Sequence, residues 1–334
     1  MSHHVPHNLA SLMFPPIAQW AQNGNTVAGA ANGMNGFSLN RLRRNVGIFY
    51  ADDDLLYIAD YLNNRLVLIA PNSTTAIRVI GPGPQPGLLN QPAHVFVTRT
   101  SIYVMDTYNF RVQKMSRNLS SIMTVAGISG VNGNSATTAA LSYSYFLFVD
   151  NYDNLFVSDC GNHRVLMFPW NSTSGTNGVM VAGTGNQGAH AYQLNCPFGV
   201  FVTDDRTLYI PDGNNHRIQK WTIGGTYGLP VAGTGVAGSG LSQLYWPYTV
   251  LVDLNGYMYI TDFGNHRIVR WAPDALVGEC IAACSGSWGI GSNQLNGPSA
   301  ITFDSNGSLY VSDYGNNRVQ KFKLLNGTSI ITNE

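Results

Sequence analysis

Glutamate is almost missing from this chain of 334 residues, occurring only as Glu279 and Glu334, and charged residues make up just 11%. The formal net charge is zero. No global field therefore draws the protein to nucleic acid or to an acidic membrane surface, and a charged partner must be recognised locally. No apolar run approaches the roughly 18 residues of a membrane span, and no segment shows the 3.6-residue apolar period of an amphipathic helix. The opening MSHHVPHNLASLMFPP lacks the basic start and long apolar core of a secretory signal, so it carries no expectation of export. There are four cysteines and no Cys-x-x-Cys pair, which excludes zinc modules built from paired cysteines. What is abundant is glycine, 36 residues, the supply that many tight turns require.

The stretch DFGNHRIVRW, Asp262 to Trp271, recurs through the chain. Its Asp and Arg, five residues apart, reappear as Asp60 and Arg65, Asp106 and Arg111, Asp159 and Arg164, Asp212 and Arg217, and Asp313 and Arg318. Successive Asp residues lie 46, 53, 53, 50 and 51 positions apart, a period that signals a repeat architecture. Each unit has the same order. An outer strand such as TVAG leads into a Gly-rich loop often ending LNxP, then come an apolar strand such as GVFV, a turn, the strand LYI or LYV ending at the Asp, a four-residue turn, and the strand opened by the Arg. Short β-branched runs bounded by Gly, Asn, Asp and Pro are strand signals. The reading is all-β: a six-bladed β-propeller of four-stranded antiparallel blades. Strands are lettered a (nearest the axis) through d (outermost). The first TVAG, Thr26 to Gly29, precedes any blade of its own, so it is expected to dock beside Arg318 to Phe322 and close the ring. The C-terminal Ser329 to Thr332 is the rival for that place. Residues 1–16 are expected as a flexible tail, with a terminal His-bearing copper or nickel motif at His3 or His4 weighed and set aside. Residues 17–334 form one propeller.

These residues resemble the NHL repeat family, whose signature is the Asp, Asn-His and Arg grouping after an LYV-type strand. The resemblance spans roughly residues 25 to 325 and rests on six copies. The Tyr-Trp-Thr-Asp and Trp-Asp signatures of the YWTD and WD40 propellers are missing. The resemblance implies a propeller used mainly as a recognition platform. It also implies one enzyme possibility, because the peptidyl-hydroxyglycine lyases share the fold and build a zinc site from several histidines near the axis.

A feature present in every blade reads as a fold feature, so the six Asp and six Arg are assigned to structure, each pair closing its hairpin across the turn. Asn265, two before the Arg, suits a left-handed turn position. His163, His216 and His266 occupy equivalent positions about 12 Å apart on such a ring, too far to share a metal whose bonds are about 2.1 Å. His94 alone among the histidines is placed to face the axis. No cofactor and no metal are expected, and no catalytic residue is assigned. The expected function is non-enzymatic recognition of a protein or peptide, or of a glycan, by the top face, which the d–a loops and b–c turns form. A small-molecule hydrolase or lyase in the central channel is one alternative, and RNA binding through Arg41 to Arg44 is another. The candidate binding residues are the places where blades differ: Arg41, Arg43 and Arg44, Phe110, Tyr143, His190, Tyr192, Tyr245, Trp246 and Trp288. A monomeric ring with no membrane span is expected.

Cys160 and Cys196 read as substituted repeat positions. Cys280 and Cys284 would be about 13 Å apart in an extended strand, too far to bridge without a bend. Sequons at Asn72, Asn118, Asn171, Asn306 and Asn326 all fall in a–b or c–d turns, the bottom face. They favour an extracellular setting, while the compartment itself stays unknown.

Overall fold

The computed structural model of the protein describes residues 12–81 and 89–326. Six four-stranded antiparallel sheets are arranged as blades. The first runs outward through Ile48–Tyr50, Leu56–Asp60, Arg65–Ile69 and Arg78–Ile80. The last consists of Pro298–Phe303, Leu309–Asp313, Arg318–Phe322 and, as its outermost strand, Asn25–Gly29. Thr26 lies opposite Gln320 and Gly29 opposite Arg318. The two chain ends thus share one blade, which leaves the ring no open edge. The rival closing strand, 329–332, is outside the described residues.

The b strands are apolar without alternation because both faces are covered. Leu56–Asp60, Leu155–Asp159 and Leu309–Asp313 are buried at every position, since each blade packs a neighbour on either side. In the a strands every second residue turns to the axis, where Phe49, Phe96, Phe148 and Phe201 touch in sequence at 4.8, 5.2 and 5.2 Å between ring centroids.

Part of the expected flexible tail is core. Residues 1–11 lie outside the described residues, but Leu12 and Phe14 of that tail, with Ala18 and Trp20 just after it, are buried against Tyr259, Ile301, Phe303 and Phe322 of blades 5 and 6. Trp20 donates its indole N–H to Gly307 O at 2.8 Å, and Arg270 Nη2 donates to Pro16 O at 2.7 Å. Gln19–Trp20 also pairs antiparallel with Leu324–Asn326, so the sequon residue Asn326 sits at the end of a strand and not in a turn. This strap makes a second connection between the chain ends.

The cysteines depart from expectation. Cys160 and Cys196 form a disulfide with Cα atoms 4.0 Å apart, joining the b–c turn of blade 3 to the loop entering blade 4. Cys280 and Cys284 are also bonded, with Cα atoms 5.6 Å apart. The extended spacing fails because the strand ends at Ala282 and Ala283 is left-handed, φ +55°. That position belongs to glycine in the equivalent strands ending at Gly29, Gly127 and Gly183. The bend it imposes swings Cys284 back onto Cys280.

Candidate functional site

The repeated motif is the frame of the top face. In blade 5, Asp262 Oδ2 accepts from Arg267 Nε and Asn265 Nδ2, both at 2.8 Å. Its Oδ1 accepts the backbone N–H of Tyr245 at 2.7 Å. The outer nitrogens of Arg267 donate to the carbonyls of Ser239, Gly240 and Gln243, tying the long d–a loop to the hairpin. The same Nε–Oδ2 contact is 2.6–2.9 Å in all six blades, and all six aspartates are fully buried. Burial raises the Asp262 carboxyl above its ordinary value, opposed by the N–H groups of Tyr245 and Asn265 and by the Arg267 guanidinium. A carboxylate enclosed by three donors has no free face for a substrate.

The residue just before each Arg links one blade to the next. His163, His216 and His266 accept, through Nδ1, the backbone N–H of Cys196, Trp246 and Gly297 at 3.1, 3.3 and 3.0 Å. Asn64 and Asn317 do the same through Oδ1, for Gln91 and Arg44 at 2.8 and 2.9 Å. These turn residues are left-handed, φ 52–56°. The left-handed position is therefore His266, and Asn265 precedes it inside a short 3-10 turn. Burial lowers the pKa of all three histidines, with nearby aspartates opposing, so each stays neutral and able to accept. Blade 2 has Phe110 instead, which packs edge-on against Tyr143 at 5.6 Å.

On the axis, the a strands enclose a cavity of about 50 Å³. That is room for a few waters, each needing at least ~10–15 Å³, and not for an organic substrate. His94 is the imidazole that lines it, against Phe146 at 4.6 Å. Burial lowers the His94 pKa to about 3, and its Nδ1 has no hydrogen-bond partner. Among the described residues no three His, Cys, Asp or Glu side chains converge as a metal site.

Above the cavity, every blade contributes an aromatic ring to the channel mouth: Tyr61, Tyr108, Tyr145, Phe198, Tyr248 with Phe263, and Tyr314, in blade order. Phe198, Tyr248 and Phe263 stack in a row at 4.0 and 4.1 Å, flanked by Tyr145 at 5.6 Å and Tyr314 at 6.1 Å. Tyr61 and Tyr108 meet edge-on at 6.4 Å on the remaining side. The phenols sense one another. Burial, followed by neighbouring tyrosines, raises the pKa of Tyr61, Tyr145 and Tyr248, so all three remain protonated. Arg44 lies over the Tyr314 ring at 4.8 Å.

A family model described as NHL repeat matches residues 295–322, the span that holds the sixth copy of the motif and the strands around it. The chain is a six-bladed β-propeller with an NHL repeat in its last blade. No curated protein is similar to it by sequence. Among solved structures it resembles a structural genomics protein of unknown function from Bacteroides thetaiotaomicron, TM-score 0.70 at 16% identity, covering 92% of this chain and 77% of that one. An auxiliary nutrient binding protein from the same organism matches with TM-score 0.65 at 13% identity, over 92% and 77%. A gluconolactonase from Xanthomonas campestris matches with TM-score 0.61 at 14% identity, over 94% and 99%. At these identities the likeness shows the fold, which binding proteins and enzymes both use.

In this propeller the candidate residues chosen for varying between blades do not form one patch. Arg41 turns back to donate to Met34 O, which leaves Arg43 and Arg44 exposed. Tyr143 touches Phe110 and Tyr108 beside the mouth. Tyr245 and Trp246 touch each other at 4.9 Å, with Trp246 exposed. His190 stacks on Tyr192 in the blade 4 loop, and Trp288 is exposed in the blade 6 loop. Arg44, Tyr143, Cys196 and Trp246 share the left-handed position that receives the neighbouring blade's turn, so part of their apparent variation is blade joining. Sequence reading missed Tyr61, Tyr108, Phe198, Tyr248, Phe263 and Tyr314. Their signal lay in the residues after the repeated Asp and after the strand-leading Pro, which change from blade to blade.

Proposed function

We propose that the protein is a non-enzymatic recognition module whose top face binds a peptide, protein or glycan at the mouth of the channel. The observation that carries this reading is the set of aromatic rings, most of them half-buried, drawn from all six blades. Aromatic side chains held rigid by stacking supply contact area at little entropic cost, the composition of a binding hot spot. The motif Asp, Asn and Arg groups hold those rings in place and are fully occupied in doing so. Among the described residues no helix is long and apolar enough to cross a membrane. The two disulfides suit an oxidising compartment, where the exposed sequon residues Asn72, Asn118, Asn171 and Asn306 on the bottom face would carry glycans away from the mouth.

The channel alternatives have less behind them. A hydrolase or lyase site there would have to work from His94 and a cavity of a few waters. RNA binding would rest on Arg43 and Arg44, short of the set of phosphate contacts that makes such binding strong. Glycan and peptide arrays probed with the wild type, an Arg43→Ala/Arg44→Gln variant and an Asp204→Ala/Asp205→Ala variant test the proposal. Signals lost only in the first variant support it. Signals lost only in the second, or turnover of a lactone or peptide substrate, would overturn it.

A further inference from the structure

The net charge of zero conceals a division between the two faces. Of the 18 acidic residues, six are the buried motif aspartates and Glu334 is outside the described residues. Nine others lie in the turns between strands a and b, for example Asp53, Asp150, Asp204 and Asp253, while Asp274 is in a c–d turn and Glu279 begins a d strand. All of these belong to the bottom. Among the described residues the top face has no free carboxylate, yet it exposes Arg43 and Arg44. Arg44 has no acidic partner, and its guanidinium rests on Tyr314 at the rim of the mouth.

The mouth itself is lined by five phenols, Tyr61, Tyr108, Tyr145, Tyr248 and Tyr314, with Phe198 and Phe263 among them. The stacked row Phe198, Tyr248 and Phe263 covers both faces of Tyr248, so what this wall shows inward is ring edges and the Tyr248 hydroxyl. Among the described residues the hydroxyls of Tyr145, Tyr248 and Tyr314 make no protein hydrogen bond, although the rings are half-buried. A phenol both donates and accepts, as a sugar hydroxyl does. Phenol hydroxyls set among aromatic rings, beside the Arg44 guanidinium that has no acidic partner, complement a neutral hydroxylated ring that carries a single acid.

Resting on the top-face reading above, we propose that the channel mouth binds a uronate-type acidic sugar residue, with its hydroxyls on Tyr145, Tyr248 and Tyr314 and its carboxylate on Arg44. A carboxylate meeting a planar guanidinium gains paired charge-assisted hydrogen bonds. Absence of a competing acid at this face spares the ligand like-charge repulsion.

Calorimetric titration of the full chain with a galacturonate trimer, its methyl ester and an acidic peptide tests this. The ester has the same rings and lacks only the charge. Two substitutions follow the protein's own repeats: Arg44→Gln installs the residue that blade 2 has at Gln91, and Tyr248→Phe removes one hydroxyl while keeping the stack. The acid trimer should bind at least tenfold more tightly than its ester. Arg44→Gln should abolish that ratio, and Tyr248→Phe should weaken acid and ester alike by severalfold. Equal affinity for acid and ester, an unchanged ratio in Arg44→Gln, or tight binding of the acidic peptide alone would each overturn the proposal. Failure of both trimers to bind, while array signals still depend on the top face, would overturn the sugar assignment and leave the recognition reading standing. Array signals that follow the bottom variant would remove both.

Discussion

Replacing His94 with Leu should make the protein less sensitive to acid. The imidazole lies between the a strands with Nδ1 unpaired and Phe146 against its ring. Burial lowers its pKa from the ordinary 6.5 to about 3. The sign follows from linkage. Above pH 6.5 the residue is neutral in both the folded and the unfolded chain and has no pH effect. As pH falls below 6.5 the unfolded chain takes up a proton that the folded chain refuses, and stability is lost until the folded pKa is reached. Between pH 7.5 and pH 5.0 the loss from His94 alone comes to about 2 kcal/mol. Waters in the adjoining cavity would ease the desolvation, which makes this an upper figure. Urea unfolding at the two pH values, for wild type and His94→Leu, gives the difference directly. The wild type should lose about 2 kcal/mol more than the variant over this range. An equal loss in both, or a His94 imidazole that titrates near 6.5 by NMR in the folded protein, would refute the reasoning.

Four further outcomes follow from the frame. Asp262→Ala leaves the Arg267 guanidinium buried without its acid and should cost about 3–5 kcal/mol in chemical unfolding; a cost below 1 kcal/mol would contradict the structural role. His266→Asn, which copies blades 1 and 6, should stay within ~0.5 kcal/mol of wild type, whereas His266→Ala should lose about 1 kcal/mol with the bond to Gly297 N–H. Cys160→Ser opens a disulfide that spans 36 residues, and loop entropy puts the loss near 4 kcal/mol; native protein should also show no reactive thiol. Trp20→Ala removes the buried anchor of the strap and should cost about 3–5 kcal/mol, measured as the midpoint of thermal or urea unfolding.

Six copies of one motif made the ring, its four-stranded blades and its closure by Thr26 to Gly29 legible in the sequence, because equivalent residues could be compared. The features that escaped are those without copies. Phe14 lies in the segment whose His and Pro content looked like a tail, Trp20 lies just beyond it, neither has a copy in the repeats, and only the surface of blades 5 and 6 shows what they cover. Cys160 and Cys196 are distant in the chain and meet because one blade's turn receives the next blade's loop, an arrangement that periodicity does not reveal. Tyr61, Phe263 and Tyr314 were hidden inside the motif that repetition assigned to structure. The charge difference between faces was hidden by a total of zero and emerged only when each turn could be placed at the top or the bottom.

Hydrogen–deuterium exchange in the presence of the strongest array ligand bears most directly on the claim that the channel mouth is the recognition site. Protection is expected at residues 43–46, 61–64, 143–146, 246–249 and 314–317, which surround the mouth. Protection confined to the a–b turns at 150–154, 203–206 and 253–257 would place recognition on the opposite face and contradict the account.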